Sequence, residues 1–142
     1  MLESCTRTWL WVGVRGTEIL VGVVHLNISN MSHEKFKACI DACLACATQC
    51  EHCATECLKE DDVAMMAQCI LLDRECADAC YAAARLMSIG GDHAVLFCNA
   101  CAEICDACAT ECEQHDADHC KRCAEECRKC AEECRAMAGQ PA

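Results

Sequence analysis

Residues 39–57 read CIDACLACATQCEHCATEC, a run that places cysteine at 39, 43, 46, 50, 53 and 57, with steps of 4, 3, 4, 3 and 4. Alternating steps of three and four keep one narrow face of an α-helix pointing in a single direction, the seam that Leu and Ile occupy in an ordinary bundle. Here the seam is sulfur.

The same spacing returns twice. Cys98, Cys101, Cys105, Cys108 and Cys112 form one further ladder, and Cys120, Cys123, Cys127, Cys130 and Cys134 another. A sparser set, Cys69, Cys76 and Cys80, lies between them. The flanking residues are rich in Ala, Glu, Lys, Arg and Leu, which favour helix. Oppositely charged residues four apart, Lys121 with Glu125, Arg122 with Glu126 and Glu125 with Lys129, suit solvated outer faces. The expectation is an all-α, antiparallel up-down-up-down four-helix bundle with a cysteine-lined core.

Helix punctuation sets the boundaries. A first helix runs from Ser32, a candidate N-cap, to about Lys59. A second spans about Asp61 to Ser88, capped by Asp61 or Asp62 and closed by Gly90-Gly91. Asp92 caps a third that reaches about His115, and Asp116 or Asp118 opens a fourth that ends near Gly139.

Residues 1–30 differ from the rest: they hold both tryptophans, one cysteine (Cys5) and β-branched runs such as Val21-Gly22-Val23-Val24. They read as a poorly ordered N-terminal extension ahead of the four-helix-bundle domain at 31–142, with Met31 making an ordinary cytosolic beginning. Arg15 and Glu18 interrupt the apolar stretch and no small-residue cleavage site closes it, which argues against a signal peptide. No run approaches the roughly 20 apolar residues that span a bilayer.

Twenty of the 142 residues are cysteine, and only five are aromatic. Without cysteine the apolar share falls from 54% to about 40%, low for a globular protein. Such a cysteine content in a short chain usually marks a disulfide-stapled secreted scaffold, but one proline and six glycines leave no loop-rich framework. The net charge of −11 carries no basic stripe for nucleic acid. A core of thiols packs less apolar volume than one of leucines, so stability has been given up for chemistry.

Thiolates select Cu(I), zinc or iron–sulfur clusters. Ferredoxin-type clusters want two successive C-x2-C gaps and a Cys-Pro, and neither occurs. Zinc sites divide into separate closed cages, which a continuous ladder does not, so zinc or mixed-metal binding stands as the alternative. Cu(I) accepts two or three thiolates, so i, i+3 and i, i+4 pairs can each clasp an ion, and bridging gives roughly one copper per cysteine. The nineteen ladder cysteines are the candidate ligands. His115 and His119, beside Cys112 and Cys120 at adjoining helix ends, join them at one mouth with Met65, Met66, Asp61 and Asp62; the opposite end gathers His33, Met87, His93 and Met137. His52 falls on a flank. Mid-helix C-x-x-C pairs and the lack of a phosphate loop point away from an enzyme.

The CxxxCxxCxxxCxxCxxxC run of the first helix, with CxxCxxxCxxCxxxC in the third and fourth, resembles the bacterial copper storage proteins across residues 31–138. That resemblance implies storage of many Cu(I) ions along the interior and entry at one end of the bundle. It also implies assembly as a homotetramer and membership of a cytosolic branch. A copper chaperone or small-thiol donor is the expected supplier, with no nucleic-acid or membrane partner.

Overall fold

The computed structural model describes the backbone of residues 19–139 and the side chains of residues 34–139. Residues 1–18 lie outside it, and with them most of the expected N-terminal extension and Cys5.

Four helices follow in order: α1 (Ile19–Cys57), α2 (Ala67–Ser88), α3 (Ala94–Cys112) and α4 (Asp118–Ala138), with a 3-10 turn at Val63–Met66 ahead of α2. Each packs on its neighbours in sequence, and α4 returns against α1, closing an antiparallel ring. No strand occurs among the described residues.

The boundaries refine the expected ones. The α1 backbone is already helical through Ser32, so this serine is interior and not an N-cap; residues 23–32 contain neither Gly nor Pro to stop the helix. At the far end α1 stops at Cys57, and Lys59 and Glu60 turn back onto the carbonyls of Glu56 and Cys57. Asp62 does cap, but it caps the 3-10 turn, its carboxylate accepting from the Met65 amide at 3.3 Å. His93 holds the N-cap position of α3 in place of Asp92, and no side chain closes that end.

Gly90 and Gly91 end α2 as expected. Gly90 takes φ 65°, the Gly91 amide donates to the Leu86 carbonyl at 3.0 Å, and the Gly90 amide donates to Met87 at 3.1 Å. This pair of bonds forms the Schellman motif, whose left-handed residue glycine supplies without steric cost.

The core consists of the ladder cysteines, a set of alanines such as Ala47, Ala77, Ala109 and Ala131, one branched residue, Ile40, and Met66, Met87 and Met137 near the ends. Alanine beside cysteine lets the helices approach closely enough for thiols of all four to meet. On the outside, Arg128 binds Glu113 and Asp106, and Arg135 also reaches Asp106, tying α4 to α3. The expected i, i+4 pairs of α4 are not formed: Lys121 turns to Asp116 and Lys129 to Glu126. Exposed charges choose among several nearby partners at little cost, so spacing alone does not fix the pairing.

Candidate metal centre

All nineteen cysteines of the ladders are buried free thiols. The helical seams aim them inward, and the ring arrangement brings four seams onto one axis. The sulfurs form a continuous series of contacts. Cys134 lies 3.6 Å from both Cys39 and Cys43, and Cys43 lies 3.6 Å from Cys130. Cys80 touches Cys130, Cys101 and Cys105 at 3.6–3.8 Å. Cys76 links Cys105 to Cys46 and Cys127, and Cys127 leads through Cys50 to Cys123.

The sulfurs also gather in fours. Cys43, Cys101, Cys130 and Cys134 form one group, Cys50, Cys108, Cys123 and Cys127 another, and Cys53, Cys57, Cys69 and Cys120 a third. Within each, every sulfur lies within 4.8 Å of the others, so a small ion between any two or three is in reach of all. Several cysteines belong to two groups, Cys50 and Cys130 among them. The sites share walls.

One residue in this interior was missed by the sequence reading. Asp73 of α2 is 0% exposed and sits where the seam of that helix skips a cysteine. The thiols of Cys123 and Cys108 donate to its Oδ1 at 3.2 and 3.3 Å, that of Cys112 at 3.7 Å, and Cys69 donates to Oδ2 at 3.8 Å. Burial, reinforced by Cys123, Cys108 and Cys69, pushes its carboxyl up to about 11. The signal was present: filling the four-three rhythm of α2 gives 69, 73, 76 and 80, and the second of these is aspartate.

At the α1–α2 end, Cys57 and Cys69 meet at 3.9 Å, and Cys57 contacts the His119 Nε2 at 3.5 Å. His119 is only 9% exposed, and the Glu60 carboxylate stands 3.7 Å outside it. His119 thus joins the sulfur column where it opens to solvent. His115 does not touch the column: its Nε2 pairs with the Glu111 carboxylate at 3.3 Å. Burial raises the Cys57 thiol, and raises that of Cys120 to about 12, with the neighbouring Cys69 adding to both.

The opposite end closes differently. Cys98 donates to the Met87 sulfur at 3.6 Å, Met87 and Met137 are buried, and His93 is exposed. The His33 side chain lies outside the described residues. His52 is exposed on its flank, as expected.

Comparisons with known proteins agree with this geometry. The chain is similar to a Cu(I)-bound copper storage protein, BsCsp3, with 48% identity and a TM-score of 0.72 over 74% of this chain and 99% of that one. A cytosolic copper storage protein from Streptomyces lividans, loaded with five coppers, matches at 38% identity and a TM-score of 0.74, covering 80% and 99%. An uncharacterized cysteine-rich protein of Bacillus subtilis, YhjQ, is 49% identical over 68 residues, which span 48% of this chain and 63% of that relative. The profile of the copper storage protein family covers residues 32–139, from within α1 to the end of α4. The chain belongs to the copper storage protein family.

Proposed function

We propose that this chain stores Cu(I), taking up many ions along its interior and holding them on cysteine thiolates. The observation that carries the reading is the unbroken column of nineteen buried thiols with shared four-sulfur groups. Each Cu(I) ion binds thiolate, so any thiol that still holds its proton releases it to solvent as the thiolate–copper bond forms. Each thiolate can bridge two ions, so thiolate and monovalent copper balance in charge inside the bundle, which removes most of the cost of burying either.

The ladder cysteines are the ligands in this reading. Asp73 offers one oxygen donor among Cys108, Cys112 and Cys123. His119, in contact with Cys57 and at the rim, passes incoming copper from a chaperone or small thiol to the column, and His115 stands one step further out. Copper in the two relatives' solved structures favours Cu(I) over the zinc alternative, and the Streptomyces relative is cytosolic, which supports the same compartment here. Storage needs no catalysis, and none is assigned.

The test is an anaerobic titration of the reduced protein with Cu(I) against a competing chelator, reading bound copper per chain. A tight endpoint well above about ten, near the cysteine count, is expected. An endpoint of a few ions, or stronger retention of zinc, overturns the storage reading.

A further inference from the structure

The four-three rhythm that aims the cysteines inward continues past the last cysteine of two helices. On α2 it runs 69, 73, 76, 80, 83 and 87, and on α4 it runs 120, 123, 127, 130, 134 and 137, so each seam finishes on a methionine. Both helices finish at the same end of the bundle, the one opposite His119. Met87 is 0% exposed there, and Met137 is buried too. The other two seams bring no metal donor to this end: one step before Cys98 stands Ala94, and one step before Cys39 stands Phe36.

Cys98 is the last cysteine of α3 on this side. It makes one hydrogen bond among the described residues, and that bond runs to the Met87 sulfur at 3.6 Å. A methionine that merely fills a gap needs only bulk. Here the sulfur itself, the one atom of the side chain with a lone pair to give, faces the thiol, and it does so from the seam position that a cysteine holds elsewhere.

The end of a thiolate column calls for such a donor. In the interior each thiolate is shared by two ions, and thiolate and Cu(I) balance in number. The last ion has no further ion beyond it, so a second thiolate of its own would leave an unbalanced negative charge in a buried place, which is costly. A thioether supplies the second ligand without charge, and it is a soft donor of the kind Cu(I) selects.

We propose that Met87 and Cys98 hold a Cu(I) ion at the closed end of the column, through one thioether and one thiolate, an assignment that rests on the copper-storage reading. When the ion arrives, the Cys98 thiol gives its proton to solvent and its sulfur binds copper as thiolate. The Met87 sulfur gives a lone pair and loses nothing, and copper stays Cu(I) throughout.

The test uses the full reduced chain grown with selenomethionine, loaded anaerobically with Cu(I) to its endpoint against a chelator, and X-ray absorption at the selenium edge. Selenium then stands at all six methionines, and a copper neighbour on about one of them is expected in the unmodified protein. Met87→Leu keeps the apolar bulk, with circular dichroism confirming helicity, and is expected to lose that neighbour together with about one bound ion; Met137→Leu is expected to keep both. No copper on any selenium of the unmodified chain, or a copper signal that survives in Met87→Leu, overturns the assignment. Bound copper per chain keeps the two questions apart. A count near that of the cysteines with none on selenium overturns this site alone, whereas a few ions with one on the Met87 selenium overturns storage and leaves the site standing.

Discussion

Asp73→Asn changes one atom in the middle of the thiol column, and the structure sets the size and sign of its effect on the empty bundle. The carboxyl is fully buried and its pKa is pushed up to about 11, so at neutral pH the folded protein holds it protonated. In the unfolded chain it ionises near the ordinary value of about 3.9. Folding at pH 7 must then take up a proton, at about 1.36 kcal/mol for each of roughly three pH units, or about 4 kcal/mol. Because the folded pKa is the raised one, the stability tied to this group is fully present below about pH 4 and is lost as pH rises towards 11. Asparagine needs no proton, and its oxygen can accept the same thiol bonds. The metal-free Asp73→Asn protein should therefore be more stable than the original by up to about 4 kcal/mol at pH 7 and by about 1.5 kcal/mol at pH 5. Anaerobic urea unfolding of both reduced proteins at the two pH values, followed by far-ultraviolet circular dichroism, reads the difference. A gap that does not change with pH, or an aspartate protein that gains stability as pH rises, would refute the argument.

Replacing Cys50 and Cys108 together by serine removes two members of one four-sulfur group, and bound copper per chain should fall by about two while helicity is retained; unchanged capacity in the chelator titration counts against the inward ladder. His119→Ala removes the imidazole at the rim, next to Cys57, and is expected to slow copper uptake in stopped-flow mixing while lowering capacity by no more than about one ion. Equal loading rates would move the point of entry elsewhere. Gly90→Ala forces a side chain into φ 65° at the end of α2, and a loss of about 1 kcal/mol in the same urea assay is expected; no loss would mean that the turn relaxes.

The fold was legible because one signal repeated. Steps of three and four at Cys39–Cys57, Cys98–Cys112 and Cys120–Cys134 specify helix and the direction of its buried face at once, and Gly90-Gly91 marks a turn that only a left-handed residue completes. The ends were less legible, since a cap such as Asp92 competes with neighbours of similar propensity and α3 starts at Ala94 with no side-chain cap at all. Asp73 was not legible because an aspartate ordinarily lies on the solvated face of a helix, and the three cysteines of α2 leave its four-three rhythm incomplete. His115 and His119 look alike in sequence. Only packing separates them, since His119 turns onto Cys57 and His115 onto Glu111.

The alanines that flank the cysteines have a consequence for the lifetime of the protein. Small side chains bring the helices together but supply little apolar area, so the empty bundle rests on a thin margin. Anything that binds the folded state alone adds to that margin in proportion to the logarithm of its concentration over its dissociation constant. A filled chain therefore opens less often than an empty one and presents fewer cleavable segments to proteases. The cell's inventory of the protein is in this way weighted towards copies that carry cargo, and vacant ones are the first to be recycled.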